Sequence, residues 1–278
     1  MTKQDLTPAL YIVSTPIGNL GDMTYRAVET LQHCNLIACE DTRTSAKLLR
    51  AYDIRTPATP YHDHSDGKAR AKIIQAIQSG QSVALISDAG TPLISDPGYQ
   101  LIQDAVDQGV SIIPIPGANA VLPALQLSAL PTNRFSFHGF LPAKTGAVTK
   151  LVEALADREE TLIFYETARR ITKSLPVFLD VLGDRQAAII REITKLHEEA
   201  LRGPLSALIP VSEGLKGEIV LCIAGAQAKQ VDDAHIMAEL RLALEENSFK
   251  DAVRIVSKGT GASRSHVYTL GLGLRDEL

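Results

Sequence analysis

The chain has 278 residues, a length that suits one large domain or two smaller ones with an appendage. With 45% hydrophobic and 22% charged residues it has an ordinary globular composition, which excludes a largely disordered chain. The 28 basic and 32 acidic residues give a formal net charge of −4, so any contact with RNA or DNA requires a local basic patch. Aromatic residues make up only 5% and tryptophan is absent, which disfavours a base-stacking platform of the single-strand-binding kind.

The cysteines and the N-terminal residues favour a reducing, cytoplasmic compartment. Cys34, Cys39 and Cys222 are odd in number and form no C-x-x-C pair, so the sequence predicts neither a disulfide framework nor a zinc site. The first apolar run is short and is interrupted by Pro16, which does not fit a signal peptide. No stretch approaches the roughly 20 apolar residues that a membrane span requires. We therefore expect a soluble, cytoplasmic protein with no membrane partner.

Short apolar runs alternate with helical patterns in the first half of the chain. This alternation is typical of βαβ units in a mostly parallel sheet, and Asp22 is predicted to cap the first helix. The predicted strands are 10–13, 36–39, 83–86 and 110–114, and the predicted helices are 23–32, 44–51, 65–78 and 99–107.

A second alternating set follows residues 130–134, a stretch with the composition of a linker. We therefore predict two α/β domains, residues 1–130 and 131–228, with a ligand cleft between them. In the second set, strands are predicted near 135–138, 161–165, 187–190 and 218–223, and helices near 148–156, 168–182 and 204–209.

Residues 229–278 form a predicted helical tail. Helices at 233–246 and 249–256, a turn at 258–261 and a helix capped by Ser263 give a helix-turn-helix pattern. From residue 247 to 275 there are five basic residues and one acidic residue, a local net charge of +4. The tail is therefore either a nucleic-acid contact or a solvated helical hairpin that packs on the body or on a partner subunit.

The loops that follow the strands are the places to look for ligand contacts, because open parallel sheets bind ligands at the carboxyl ends of their strands. In the first loop, Gly18, Gly21 and the later Glu40 match part of a dinucleotide fingerprint. The first glycine pair of that fingerprint is missing, since Pro16 stands in that stretch. A turn into a capped helix explains the loop equally well.

The second loop contains Glu40, Asp41 and Arg43. Two acids and an arginine at a strand end could supply a base, an orienting group and a phosphate contact. A capped helix start with a local ion pair is the more common origin of such a pattern.

The loop 87–98 carries the most information. It is long, it is rich in small residues, glycine and proline, and it directly follows an apolar strand. Small residues let a ligand approach backbone groups, and Asp88 could accept a hydrogen bond from a ribose or an amine. A structural turn needs far fewer residues, so we predict a ligand loop here.

Other patterns disfavour several enzyme classes. His62 and His64 lack a third metal ligand nearby, so the sequence predicts no metal site. His138 is a weak catalytic candidate, because a hydrogen-bonded histidine at a strand end is more common. There is no G-x-S-x-G elbow and no P-loop, which disfavours serine hydrolases and P-loop NTPases.

Six motifs together carry a family resemblance: CEDTRTS, SDAGTPLISDPG, PIPGANA, FHGFLP, FYETARR and REITKLHEE. The chain resembles the ribosomal RNA small subunit methyltransferase I family of the tetrapyrrole-methylase superfamily over roughly residues 10–226, and the likeness extends to the tail. The resemblance implies a 2′-O-methyltransferase that uses S-adenosylmethionine and acts on a cytidine in the decoding region of 16S rRNA. It also implies a cofactor in the interdomain cleft, a homodimer, and either 16S rRNA or the small ribosomal subunit as partner.

The resemblance assigns roles residue by residue. In tetrapyrrole relatives an acid after the second strand is a proposed proton acceptor, a place that Glu40 matches, with Asp41 as the second candidate and Arg43 beside them. Their Gly-Gly-Asp-Pro loop reads Ala-Gly-Thr-Pro at 89–92, so the acid moves to Asp88. The cofactor residues implied are Pro16, Asp88, Ala89, Gly90, Thr91, Pro92, Leu93, Ile94, Asn119, Phe164, Tyr165, Ala188 and Ala224. The RNA-contacting residues expected are Arg134, Lys144, Arg169, Arg170, Lys258 and Arg264.

Two other functions stay open at this point. One is C-methylation of a tetrapyrrole precursor on the same fold, and the other is a non-enzymatic, nucleic-acid-binding regulator built on the tail. The basic residues are concentrated locally, because residues 108–152 contain no Asp or Glu. We therefore expect RNA contact along a basic rim of the cleft and at the tail.

Overall fold

The computed structural model describes residues 6–62, 67–227 and 232–275. Its contacts divide the chain into two compact units, Met1–Gly225 and Ala226–Leu278. The first unit holds two sheets with their helices and the second holds three helices. The expected fold class, an α/β protein with two sheets, each covered by its own helices, and a helical tail, is confirmed. The domain bounds at 130 and 228 stay a prediction.

The first sheet is parallel, and in the described residues its strand order is β3-β2-β4-β1-β5. Its central strands, β1, β2 and β4, are continuous apolar runs because helices cover both faces of the sheet, whereas the edge strand β3 is short and partly exposed. The strands are β1 (Leu10–Val13), β2 (Leu36–Cys39), β3 (Ala58–Pro60), β4 (Val83–Ile86) and β5 (Ile112–Ile115), and the helices are α1 (Tyr25–His33), α2 (Thr42–Ala51), α3 (Gly67–Gln78) and α4 (Tyr99–Asp107).

The second sheet is mixed, with the order β6-β7-β10-β8-β9 among the described residues. Among its strand pairs only β6 and β7 run parallel, so the alternation of strands and helices in this half does not produce a mostly parallel sheet. The elements are α5 (Val121–Ser128), β6 (Phe135–Phe140), α6 (Thr145–Ala154), β7 (Thr161–Thr167), α7 (Ala168–Leu182), β8 (Gln186–Arg191), β9 (Glu199–Pro204), α8 (Leu205–Val211) and β10 (Glu218–Ile223).

Helices cover both faces of the second sheet. Helices α6, α7 and α8 pack on one face around Phe164 and Phe178, and α5 packs on the other face against Val220 and Cys222. Strand β9 was not predicted, because its burial is only partial and its residues do not alternate cleanly. Strand β3, only three residues long, was not predicted either.

Two helix starts differ from the prediction because of capping geometry. Asp22 lies in a 3₁₀ turn, and it is Thr24 that caps α1 by accepting a hydrogen bond from the Ala27 N–H at 3.1 Å. Helix α2 begins two residues early, since Asp41 caps it by accepting from the Arg43 N–H at 2.8 Å. The predicted start of the 65–78 helix lies partly outside the described residues.

The second unit contains α9 (Asp233–Glu246), α10 (Phe249–Thr260) and α11 (Arg264–Arg275) around a small apolar core. The turn predicted at 258–261 begins later, because α10 continues to Thr260 and ends at Gly261 in a left-handed conformation (φ 75°). Ser263 caps α11 as predicted, accepting from the His266 N–H at 3.2 Å. No described helix is long and apolar enough to span a membrane.

Two glycines of α11 provide a matched test of packing in the second unit. A Cβ at Gly271 would lie 2.8 Å from Leu240 Cδ2 and from Phe249 Cε2, whereas a Cβ at Gly273 would meet nothing within 4 Å. We expect Gly273→Ala to stabilise the unit by up to about 1 kcal/mol through helix propensity. Gly271→Ala should destabilise it by roughly 1–2 kcal/mol through overpacking. Hydrogen exchange of peptides from 233–275 measures both changes, and equal protection of the two variants would contradict this packing.

Candidate functional site

The loops after β1 and β4 meet at the carboxyl edge of the first sheet. Thr15 and Gly90 exchange two backbone hydrogen bonds of 2.8 and 3.0 Å, and Thr15 Oγ1 donates to the Ser87 carbonyl at 3.2 Å. Thr91 Oγ1 lies 3.0 Å from Ser14 Oγ and donates to the Ala118 carbonyl at 3.1 Å. These contacts bind the three small-residue loops that follow β1, β4 and β5 into one structure.

The 87–98 loop holds several residues in a left-handed backbone conformation. Leu93 (φ 75°) and Ser95 (φ 64°) adopt this conformation although they carry side chains. Gly98 (φ 131°) adopts a positive φ as well, and a Cβ atom added there would lie only 2.9 Å from Leu85 Cδ2. Such strain persists only where the surroundings impose it, and it is concentrated at binding sites. The strained backbone agrees with a ligand-binding loop, which stays a prediction.

A cavity of about 390 Å³ lies between this edge of the first sheet and the second sheet. Its size falls in the range of small-molecule sites, roughly 300–1,000 Å³. The first sheet contributes Ile17, Asp88, Ala89, Gly90, Thr91, Ile94, Ser95, Asp96, Asn119 and Ala120 from its loops, and the second contributes Phe140, Tyr165, Glu166, Thr167, Ile193, Glu218, Ile219 and Val220.

Four carboxylates line the cavity, and two of them are already neutralised. Glu166 pairs with Arg170 at 3.4 Å, and Glu218 accepts from Lys195 Nζ at 2.9 Å. The other two, Asp88 and Asp96, have no ion-pair partner among the residues that the structure describes, and none of the lining residues is Lys or Arg. A cavity of this charge suits a cationic ligand.

Burial shifts two ionisable groups of the cavity. Burial, together with the nearby charges of Glu40 and Asp88, raises the pKa of Asp96 to about 6, although a hydrogen bond with Ser87 acts in the opposite direction. Burial and the charge of Asp96 raise the pKa of Tyr165 to about 12. Perturbed acids in a concave site are a mark of function.

Seven of the cofactor residues implied by the resemblance line the cavity: Asp88, Ala89, Gly90, Thr91, Ile94, Asn119 and Tyr165. Pro16, Pro92 and Leu93 belong to the same loops, but they do not line the cavity. Pro16 and Pro92 are buried beneath the loops, and Leu93 packs inward on the core of the first sheet.

Three further predicted cofactor residues lie elsewhere. Phe164 is fully buried on the helical face of β7 against Phe178, because neighbouring residues of a strand point to opposite faces and its neighbour Tyr165 takes the cavity side. Ala188 packs in the core beneath α5, and Ala224 follows the end of β10 remote from the cavity-lining residues 218–220. The structure does not bring these three residues to the cavity.

The three predicted catalytic residues have two different surroundings: Asp41 and Arg43 pair with each other, and Glu40 takes no part in that pair. Asp41 accepts from the Arg43 N–H, Nε and Nη2 groups, which lowers the pKa of Asp41, so this pair forms the capped helix start with a local ion pair. Arg43 points outward, with 90% of its side chain exposed. Glu40 does not line the cavity, but its charge acts on Asp96 at the cavity wall.

Asp96 lines the cavity, but it was not among the cofactor residues expected from the sequence. Its signal was present in the second aspartate of SDAGTPLISDPG, but the spacing alone did not indicate that the loop turns back and points this side chain inward. Phe140, from the FHGFLP motif, and Glu218 were also missed. They come from the second sheet, whose strand order the sequence did not predict.

The predicted RNA contacts have different surroundings. Arg170 is committed to the protein interior, since it donates to the Leu141 and Pro142 carbonyls at 2.7 and 2.6 Å besides pairing with Glu166. Arg134 is balanced by Glu159 at 3.6 Å. Lys144, Arg169, Lys258 and Arg264 are exposed, the last two in the second unit.

The histidines show no sign of a metal site in the described part of the chain. His138 shares a hydrogen bond of 2.9 Å with Ser136 and stacks on Phe164, as expected of a structural strand histidine. Of the His62–His64 pair, His64 lies outside the described residues. Within residues 6–62, 67–227 and 232–275, no group of three potential ligands is placed to hold a metal ion.

Comparison with known proteins assigns the class first. Residues 9–209 match the tetrapyrrole (corrin/porphyrin) methylases, and residues 230–275 match the RsmI C-terminal HTH domain. Among solved structures, a uroporphyrin-III-C-methyltransferase from Thermus thermophilus superposes with a TM-score of 0.55 at 17% identity, covering 77% of this chain and 93% of that one. At that identity the likeness establishes the fold alone.

Sequence relatives then specify the family. A ribosomal RNA small subunit methyltransferase I from Mesorhizobium japonicum is 48% identical over 275 residues, 98% of this chain and 94% of its own length. The one from Erythrobacter litoralis is 48% identical over 276 residues, 99% of this chain and 98% of its own length. The chain therefore belongs to the ribosomal RNA small subunit methyltransferase I family, as the motifs predicted.

The raised pKa of Asp96 predicts a pH-dependent stability. Because the folded-state pKa of about 6 lies above the ordinary value of 3.8, ionising this carboxyl destabilises the fold increasingly from about pH 4, and the full loss is reached above about pH 6. We expect Asp96→Asn to be more stable than the wild type at pH 7.5, with an advantage that shrinks below pH 5. Urea unfolding at both pH values measures this difference. The exposed Asp107→Asn change is the control, and a pH-independent effect of Asp96→Asn would contradict the burial argument.

Proposed function

We propose that this protein transfers a methyl group from S-adenosylmethionine to the 2′-hydroxyl of a cytidine ribose in the decoding region of 16S rRNA. Family membership supports the class of reaction, since the relatives are named as ribosomal RNA small subunit methyltransferases. The single structural observation that carries the proposal is the acid-lined cavity of about 390 Å³ bounded by the 87–98 loop.

The cavity fits this cofactor by charge. S-adenosylmethionine carries a sulfonium and an ammonium group, and Asp88 and Asp96 are the two cavity carboxylates without an ion-pair partner among the described residues. The small residues Ala89 and Gly90 leave room for a ligand beside the loop. When bound, the cofactor would supply an electrophilic methyl group on a good leaving group.

The residues of the chain would then position the acceptor and receive its proton. A ribose hydroxyl is a poor nucleophile at neutral pH, so a nearby carboxylate should accept its proton as the methyl group is transferred. We assign that role to Glu40, which is half-buried at the end of β2 beside the acids of the cavity. Asp41 is a weaker candidate than the sequence suggested, because both of its oxygens already accept from Arg43.

RNA contact is assigned to the exposed basic residues Lys144 and Arg169 of the body and Lys258 and Arg264 of the helical unit. Arg134 can contribute only in competition with Glu159. Phosphate contacts of this kind would set register and orientation rather than sequence. The proposal includes a homodimer and a cytoplasmic place of action, where the small ribosomal subunit, as an assembled particle or as bare 16S rRNA, would be the partner.

The other functions are separated from this one by a single assay. The full chain is incubated with methyl-labelled S-adenosylmethionine and with bare 16S rRNA, unmodified small subunits or a tetrapyrrole precursor. Label recovered as 2′-O-methylcytidine after nuclease digestion supports the proposal. Label in the macrocycle would indicate the tetrapyrrole C-methyltransferase, and no label in any substrate would favour the nucleic-acid-binding regulator.

Removing the proton acceptor should impair turnover without impairing cofactor binding. We expect Glu40→Gln to lower the single-turnover rate by about 10²- to 10⁴-fold, the usual contribution of a general base. The affinity for S-adenosylmethionine, measured by calorimetry, should stay within twofold of the wild type. Glu29→Gln, an exposed change on α1, is the control. An unchanged single-turnover rate in Glu40→Gln would remove this residue from the role.

A further inference from the structure

The aromatic ring of Phe140, on the wall of the cavity, is far more exposed than is favourable for an apolar side chain. Phe140 lines the cavity, yet 57% of its surface is exposed, whereas Phe164 of β7 and Phe178 of α7 are fully buried. Burying such a side chain is worth roughly 1.5–3 kcal/mol, so its exposure at a functional edge requires a reason.

A β-bulge turns this ring toward the cavity. Between Phe137 and Phe140, strand β6 advances by three residues while β7 advances by two, from Ile163 to Tyr165. In a regular strand, residues three apart point to opposite faces, but the extra residue brings both phenylalanine rings onto Tyr165. The centroid distances to the Tyr165 ring are 4.7 Å and 5.2 Å, in edge-to-face arrangements.

Glycine makes the bulge possible. Gly139 has a φ of 66°, in the left-handed region, and a Cβ there would also lie 3.4 Å from Ser95 Oγ on the 87–98 loop. The bulge therefore sits directly against the loop that carries Asp96. The bulge glycine, Gly139, and the exposed ring of Phe140 both belong to the FHGFLP motif. This motif has no role in the cofactor and catalytic assignments.

A buried ion pair fixes the backbone on the other side of the ring. Arg170 holds the Leu141 and Pro142 carbonyls, and Glu166, whose side chain is fully buried, pairs with Arg170 and accepts from Ser174 Oγ at 2.8 Å. The backbone of Phe140 is thus fixed on one side by the bulge and on the other by the Arg170 contacts to the 141–142 carbonyls. A rigid exposed ring loses little freedom when it binds a flat partner.

We propose that Phe140 is the surface on which the base of the acceptor nucleotide stacks while its ribose faces the carboxylates of the cavity. A nucleotide that is drawn out of its stack to enter a cavity loses stacking energy, and an aromatic face replaces it. Ile94, 40% exposed on the 87–98 loop, adds a second apolar side chain to the lining of the cavity. A single ring of this kind agrees with the low aromatic content, which argues against an extended stacking platform.

This inference rests on the proposed RNA methylation, and the test separates the two. Wild type, Phe140→Ala, Phe140→Leu and Phe140→Trp are compared on unmodified small subunits under saturating S-adenosylmethionine. The control is Phe135→Ala, which removes a 42% exposed ring from the start of the same strand. If the wild type does not methylate the subunit, the proposed function fails. The stacking role is judged on the variants only when the wild type is active.

Base stacking on an aromatic residue is worth an affinity factor of about 5 to 150. We expect Phe140→Ala and Phe140→Leu to lower kcat/KM for the subunit within that range, and Phe140→Trp to restore it to within threefold. Calorimetric affinity for S-adenosylmethionine should stay within twofold in all variants. An unchanged kcat/KM in Phe140→Ala, or full activity in Phe140→Leu, would overturn the proposal. A loss of cofactor affinity equal to the loss of kcat/KM would make Phe140 a cofactor contact and would also overturn it.

The absence of tryptophan from the chain gives a direct second readout. In Phe140→Trp the new indole is the sole tryptophan, and its fluorescence should be quenched when a short cytidine-containing oligoribonucleotide is added with S-adenosylhomocysteine. Phe135→Trp should show no such quenching. Equal quenching at both positions, or none at position 140, would contradict base stacking at Phe140.

Discussion

The two backbone hydrogen bonds between Thr15 and Gly90 are the interaction on which the functional site depends. They join the loops that leave the neighbouring strands β1 and β4, at the point where the parallel ladder ends and both backbones would otherwise lack partners. With this bridge in place, the long 87–98 loop can adopt its strained conformations. The side chains of Asp88 and Asp96 then reach the cavity from fixed backbone positions.

Charge compensation distinguishes the structural carboxylates of the cavity from those left for a ligand. Glu166 and Glu218 belong to the second sheet and are neutralised by Arg170 and Lys195. Asp88 and Asp96 belong to the first sheet and have no such partner in the described part of the chain. A net charge of −4 over the whole chain therefore carries less information than its local distribution, because Asp88 and Asp96 bring to one cavity two carboxylates that have no ion-pair partner among the described residues.

The second sheet forms a fixed wall of the cavity, whereas the first sheet contributes the two carboxylates that lack an ion pair in the described residues. Its bulge at Gly139 and the contacts of Arg170 hold one wall of the cavity in place. The strand pairing at the bulge and the Arg170 bonds to the 141–142 carbonyls join residues far apart in the chain, whereas Glu166 pairs with Arg170 from four residues away. Arg170 illustrates the difference between pattern and structure. As a basic residue after a strand it resembles a phosphate contact, yet its hydrogen-bonding groups serve the 141–142 backbone.

The sequence by itself determined the two α/β layers, the helical tail, most strand and helix positions, the family and the loop that carries the site, because these follow from periodicity and from short contiguous motifs. Only the tertiary structure decided that the second sheet is mixed, that Arg170 donates to the 141–142 carbonyls, and that Phe164 faces the core while Tyr165 faces the cavity. Strand pairing, ion-pair partners and the side of a strand that meets a cavity depend on residues far apart in the chain, and local sequence patterns carry no information about these distant contacts.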